Sequence, residues 1–205
     1  MKTAITYFQA AAAGVLLMLL ASCNKKPATA DSPEFTKIDS LTETYLEFQD
    51  SLLIAWNHMI NDDNDKITAM RNLLHELTVT NQFNKEELAH LEERLHNLSR
   101  FRYTQKSIGH EGLVEEYDFA SAALVTEIIG LAESHTAYTY NNVMQALVKE
   151  IYESDRRVER YRTAYDSLAR QYNTFLERNK AHMKEIDLSN ALEKRPLFEM
   201  TSDSN

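Results

Sequence analysis

Between positions 34 and 195 the chain contains no proline, and only Gly109, Gly112 and Gly130 interrupt a run of residues that all carry side chains. Hairpins and sandwiches need a turn about every ten residues, built from clustered Gly, Pro, Asn and Asp. A stretch this long without them buries its apolar side chains as long helices. The expected fold class is all-α.

Two long periodic patterns support that reading. Leu147, Ile151, Ser154, Val158, Tyr161, Tyr165, Leu168, Tyr172, Phe175, Asn179, His182 and Ile186 alternate spacings of four and three. A period of about 3.5 residues specifies a helix that supercoils against partners. This seam is partly polar and rich in tyrosine, which fits a bundle face better than a leucine zipper. Ile38, Leu41, Tyr45, Phe48, Leu52, Ala55 and Met59 form a second pattern, which then meets the polar cluster NDDND at 61–65. Apolar positions resume one residue out of phase at Ile67, Met70, Leu74 and Leu77. Either one helix with a stutter or two helices joined by a kink satisfies this pattern.

Between the long segments, Asn84 and Glu87 have capping-box spacing and Phe83 and Leu88 that of a hydrophobic staple. The helix they open is expected to run to about Ser107, with GHEG at 109–112 as the turn. Another helix should cover about 113–134, and the last long one should begin between Thr136 and Asn142. At about 1.5 Å per residue, segments 35–80 and 140–187 reach roughly 70 Å and the middle two roughly 35 Å. These lengths imply an antiparallel, coiled-coil-like four-helix bundle with two long and two shorter helices. The short pair can cover only half of the long pair, leaving a two-helix stalk of 35–58 and 165–187.

The N-terminus carries a different message. Lys2 precedes an apolar run at 10–20 that is shorter than the roughly 20 residues needed to span a bilayer, as in a secretory signal. Leu20, Ala21 and Ser22 lead into Cys23, the one cysteine of the chain. This resembles the lipobox of bacterial lipoproteins. The resemblance implies cleavage between Ser22 and Cys23, a diacylglyceryl group on the Cys23 thiol and a fatty acyl chain, such as palmitate, on the new amine. Burial contributes about 0.8 kcal/mol per CH₂, and one chain binds only marginally, so stable anchoring takes two or more. Asn24 in place of Asp favours the outer membrane where the inner-membrane retention rule applies. Residues 24–34 include Pro27 and Pro33 and read as a tether. The expected organisation is a signal peptide at 1–22, a lipidated tether at 23–34, a helical bundle at 35–195 and a tail at 196–205.

Ala55-Trp56, NLL at 72–74, DRRVERYRTAYDSLARQYNTF at 155–175 and RPLFE at 195–199 together resemble the LemA family of bacterial helical proteins. The most specific portion is Arg157, Val158, Tyr165 and YNT at 172–174. The resemblance implies a membrane-anchored, extracytoplasmic bundle of long antiparallel helices, and it implies no enzymatic activity. The chain departs from the family twice: a lipobox replaces the usual N-terminal transmembrane helix, and Arg71 stands where a proline commonly precedes NL.

Several other patterns bear on possible chemistry. With 31 acidic against 22 basic residues and a net charge of -9, the surface repels nucleic acid and anionic headgroups. Glu87 with His90 and Glu93 with His96 have the Glu-x-x-His spacing of di-iron bundles, but there the two motifs come from different helices. Here they lie six residues apart on one helix and cannot share a centre within one subunit, so they read as polar side chains facing water. Asp62, Asp63 and Asp65 lack the glycine and the twelfth-position glutamate of a calcium loop. Arg156, Arg157, Arg160 and Arg162 alternate with Asp155 and Glu159, the pattern of a salt-bridged helix face. Trp56 and the tyrosines at 161, 165 and 172 read as core. His58, His75, His110, His135 and His182 have no common spacing, and no nucleophile elbow, phosphate loop or zinc motif is present.

The expected function is therefore that of a non-enzymatic, lipid-anchored cell-envelope scaffold or interaction module without a cofactor. Its partners would be the membrane, through Cys23, and envelope proteins; nucleic acid is excluded and self-association is compatible with a bundle face. The alternative is a carboxylate-rich bundle that binds a metal or small ligand.

Overall fold

A computed structural model describes residues 36–110, 112–186 and 192–198. Ser22, Cys23 and the tether lie outside the described residues. Among those described there is no strand: the fold is all-helical. The helices are α1 (Lys37–Val79), α2 (Lys85–Arg100), α3 (Leu113–Ser134), α4 (Asn142–Arg178) and α5 (Lys180–Ile186), with 3₁₀ turns at Ser107–Gly109 and Tyr138–Tyr140. None of these helices is long and apolar enough to cross a membrane.

The alternative left open at 61–65 resolves to one unbroken helix. α1 runs through the polar cluster for 43 residues, about 65 Å at 1.5 Å per residue. Its phase shift marks a change of neighbours. Below the cluster, of the described residues, only Leu52 and Met59 of α1 are fully buried; above it Lys66, Ile67, Ala69, Met70, Leu73, Leu74 and Leu77 all are. The upper half faces α2, α3 and α4 at once, so a wider arc of its circumference is covered. α2 and α3 also pack on each other, and α3 packs on α4. Leu91 and Leu95 of α2, Ile128 and Ala132 of α3 and Ile151 of α4 complete this core. Full burial of each large aliphatic side chain contributes about 1.5–3 kcal/mol.

The most extensive pairing is between α1 and α4, and it is antiparallel. Asp62 meets Ser154, Trp56 packs on Tyr165, Phe48 on Phe175 with ring centroids 5.4 Å apart, and Lys37 reaches His182. The segments expected to pair below the polar cluster therefore do so.

Three expectations are corrected. The last long helix does not run unbroken to 187: it stops at Arg178, Asn179 takes φ -110° and ψ 15°, and α5 restarts at Lys180. The Asn179 carbonyl accepts from the His182 and Met183 N–H groups, capping the restart. The buried stripe of lower α4 runs through Tyr165, Ala169, Tyr172 and Leu176 and continues in α5 with Met183, one residue round from Leu168 and Phe175 of α4 and His182 of α5, which are half-buried. Residues 192–198 return along this flank, where Leu192 lines one cleft with Leu176 and Met183. Finally, α2 ends at Arg100 rather than near Ser107. The chain leaves the helix there to bury Tyr103 and deliver Arg102 to α1.

Asn84 caps α2, accepting from the Glu86 N–H at 2.8 Å. Gly112 precedes α3 with φ 94°, a conformation that penalises any side chain. Pro196 rests on Gly109, where a Cβ would lie 2.9 Å from its ring.

Candidate functional site

The polar cluster at mid-height of α1 is the organising feature. Here the α2–α3 connection turns back, so the ends of two helices meet the middles of two others. Asp62 accepts from the Ser154 hydroxyl at 2.8 Å and from Arg157 Nε at 2.7 Å, and Arg157 also reaches Glu150. Asp63 accepts from the Tyr117 hydroxyl at 2.5 Å, pairs with Arg102 at 2.8 Å and lies 3.5 Å from the Lys66 ammonium. Lys66 is buried, donates to the Ser121 hydroxyl at 3.0 Å and lies 3.5 Å from Asp155. Arg162 forks onto both oxygens of Asp118 at 2.7 Å and donates to the Tyr103 hydroxyl at 3.0 Å. Around these groups is a cleft of about 230 Å³.

Burial, followed by the neighbouring Asp63 carboxylate, raises the pKa of Tyr117; burial likewise raises that of Tyr103. For Arg162 burial acts downward, but the bonds to Asp118 and Tyr103 outweigh it and the guanidinium is held more firmly protonated. Both phenols stay neutral, Tyr117 donating to Asp63 and Tyr103 accepting from Arg162, and the guanidinium is a fixed cation. Such groups hold positions well and shuttle protons poorly at neutral pH. Arg162, Asp118, Lys66, Asp63 and Asp155, the charged lining residues, all have a partner of opposite charge.

The sequence candidates are distributed unevenly around this waist. Asp62, Asp63, Arg157 and Arg162 belong to it, while Asp65, Arg156 and Arg160 are exposed. The arginines pair mainly across helices, with Asp62 of α1 and Asp118 of α3, rather than along a face of α4. Glu87, His90, Glu93 and His96 are all exposed on α2. No group of three or more His, Cys, Asp or Glu able to hold a metal is present among the described residues. His58, His75 and His110 are exposed and His182 is half-buried. His135 alone is buried, its Nδ1 accepting from the Ala137 N–H at 3.0 Å and its ring near Phe83. Lys66, Arg102, Asp118 and Ser121 were not singled out from sequence. Lys66 directly follows the acidic cluster, a signal that could have been read; Asp118 and Ser121 carry none.

Just below the waist lies an aromatic cluster. Trp56, half-buried, stacks on Phe198 with centroids 6.2 Å apart and meets Tyr103 and Tyr165 edge-on. Arg162 joins the two layers: its guanidinium carbon lies 5.0 Å from the Phe198 centroid while its nitrogens hold Asp118. The C-terminal segment thus completes the site from outside the helices.

Comparison with family models, curated proteins and solved structures finds no match for this chain.

Proposed function

We propose that this protein is a non-enzymatic scaffold or interaction module of the cell envelope, held to a membrane by lipid on Cys23, with a LemA-like domain facing the periplasm or exterior. The observation that carries the non-enzymatic part is the waist. Its cleft is lined by five charged side chains, yet these are engaged in ion pairs within α1, between α1 and α4 and between α3 and α4. A catalytic or metal-binding carboxylate bundle needs carboxylates that converge on a vacant centre; Asp62, Asp63, Asp118 and Asp155 each face a cation instead.

In this reading α1 to α4 form a four-helix head above the waist, and lower α1 and α4 form a stalk strapped by the C-terminal segment. The pairings of α1 with α2, α3 and α4, of α2 with α3 and of α3 with α4 support the head. The support for the anchor is the Leu-Ala-Ser-Cys sequence at 20–23. Intact mass and membrane fractionation test it directly. The native protein should carry a lipid-sized mass increment and sediment with membranes, and Cys23→Ala should lose both. An unlipidated, soluble product from both would overturn the anchor.

A further inference from the structure

Residues 194–198 are held in the manner of a bound peptide. Asn173 grips the Arg195 backbone from both sides, its Nδ2 donating to the carbonyl at 2.8 Å and its Oδ1 accepting from the N–H at 2.7 Å. Asp166, buried on α4, accepts from the Phe198 N–H at 2.9 Å. These contacts read main chain. The side chains fill fitted places: Lys194 pairs with Glu177, Arg195 donates to Gln49 with its guanidinium over Tyr172, Pro196 rests on Gly109, and Phe198 enters the Trp56–Tyr103–Tyr165 cluster beneath Arg162. Main-chain hydrogen bonds combined with side-chain pockets are the means by which domains recognise extended peptides.

The fit also has a flaw. Where the strap meets the helices, the Tyr165 hydroxyl and Arg162 Nε on the groove side and Arg195 Nε on the strap itself are buried and lack a hydrogen-bond partner among the described residues. Buried polar groups left unsatisfied carry a desolvation cost that is relieved when water or a better-matched ligand reaches them.

We infer that the groove formed by Asn173, Asp166 and the Trp56 cluster is a binding site for extended protein segments of the pattern basic–Pro–apolar–Phe, closed in cis by the chain's own 194–198. This deepens the interaction-module reading and rests on it for the partner being a protein; it does not depend on the anchor. Tethering gives the cis segment an effective concentration of about millimolar, so a partner must outbid it or find the strap already released.

Trp56, the one tryptophan of the chain, reports directly on the groove. In full-length Phe198→Ala its emission should shift to longer wavelength, and Asn173→Ala, which releases the strap by another route, should do the same. The peptide Glu-Lys-Arg-Pro-Leu-Phe should reverse the shift saturably in Phe198→Ala and leave the wild type unchanged at equal concentration. Adding Asn173→Ala should weaken that peptide by at least ~tenfold, the effect of losing two hydrogen bonds. A version ending in Ala should not bind. Emission in Phe198→Ala identical to wild type, or no reversal by peptide up to about millimolar, would overturn the groove while leaving the mass measurement on Cys23 unaffected.

Discussion

At the scale of single residues, charged groups at the waist do work that apolar residues do elsewhere in the core. The Tyr117 hydroxyl donates to a carboxylate that also holds Arg102, so Tyr117→Phe removes a charge-assisted bond without opening space. We expect a loss of ~1–2 kcal/mol in urea unfolding with unchanged m. Tyr165 offers a pH test. Burial is the main cause that moves its hydroxyl from the usual 10.0 up to about 12, against the opposing effect of Arg195. The unfolded chain ionises this phenol first, so its contribution to stability is intact below pH 10 and is lost as pH rises from 10 to about 12. Thermal melts in that interval should fall less steeply for Tyr165→Phe than for wild type. These partnerships were only half legible in the sequence. NDDND announces a polar centre, but its partners Tyr117, Ser154 and Arg157 lie 54 to 95 positions away. No local pattern joins them.

At the scale of elements, α1 behaves as a single rod because its polar cluster is satisfied sideways while its backbone ladder continues. Asp65 is exposed on that rod, and Asp65→Pro should cost ~3 kcal/mol or more through the lost ladder bond and the ring clash. A chain kinked at 61–65 would tolerate the change. Gly112 tests a smaller claim: Gly112→Ala at φ 94° should destabilise by ~1 kcal/mol, measured by chemical denaturation. The existence of each long helix was legible, since periodicity and the absence of turn residues are local properties. Their ends were less so. α2 stops where Tyr103 and Arg102 find partners on other helices, and the lower end of α4 meets Leu192, which arrives from beyond the helix. Tertiary contacts decided these details.

At the scale of the whole molecule, the described chain divides at the waist into a wide upper core and a narrower lower pair reinforced by the C-terminal strap. The waist is where the two regimes are joined, and its ion pairs link α1 to α4 and to the α2–α3 connection. Asp62 and Arg157 are the best-buried direct pair across the long helices, 2.7 Å apart with side-chain exposures of 11% and 25%. The sequence marked both residues as charged-cluster members without indicating that they meet. A double-mutant cycle on Asp62→Ala and Arg157→Ala, read by urea unfolding, bears most directly on whether these charges lock the helices together. The expected coupling is about 1–2 kcal/mol, the range for a contacting charged pair within one network. Additive losses, with a coupling near zero, would contradict a structural waist and return those charges to the search for a chemical role.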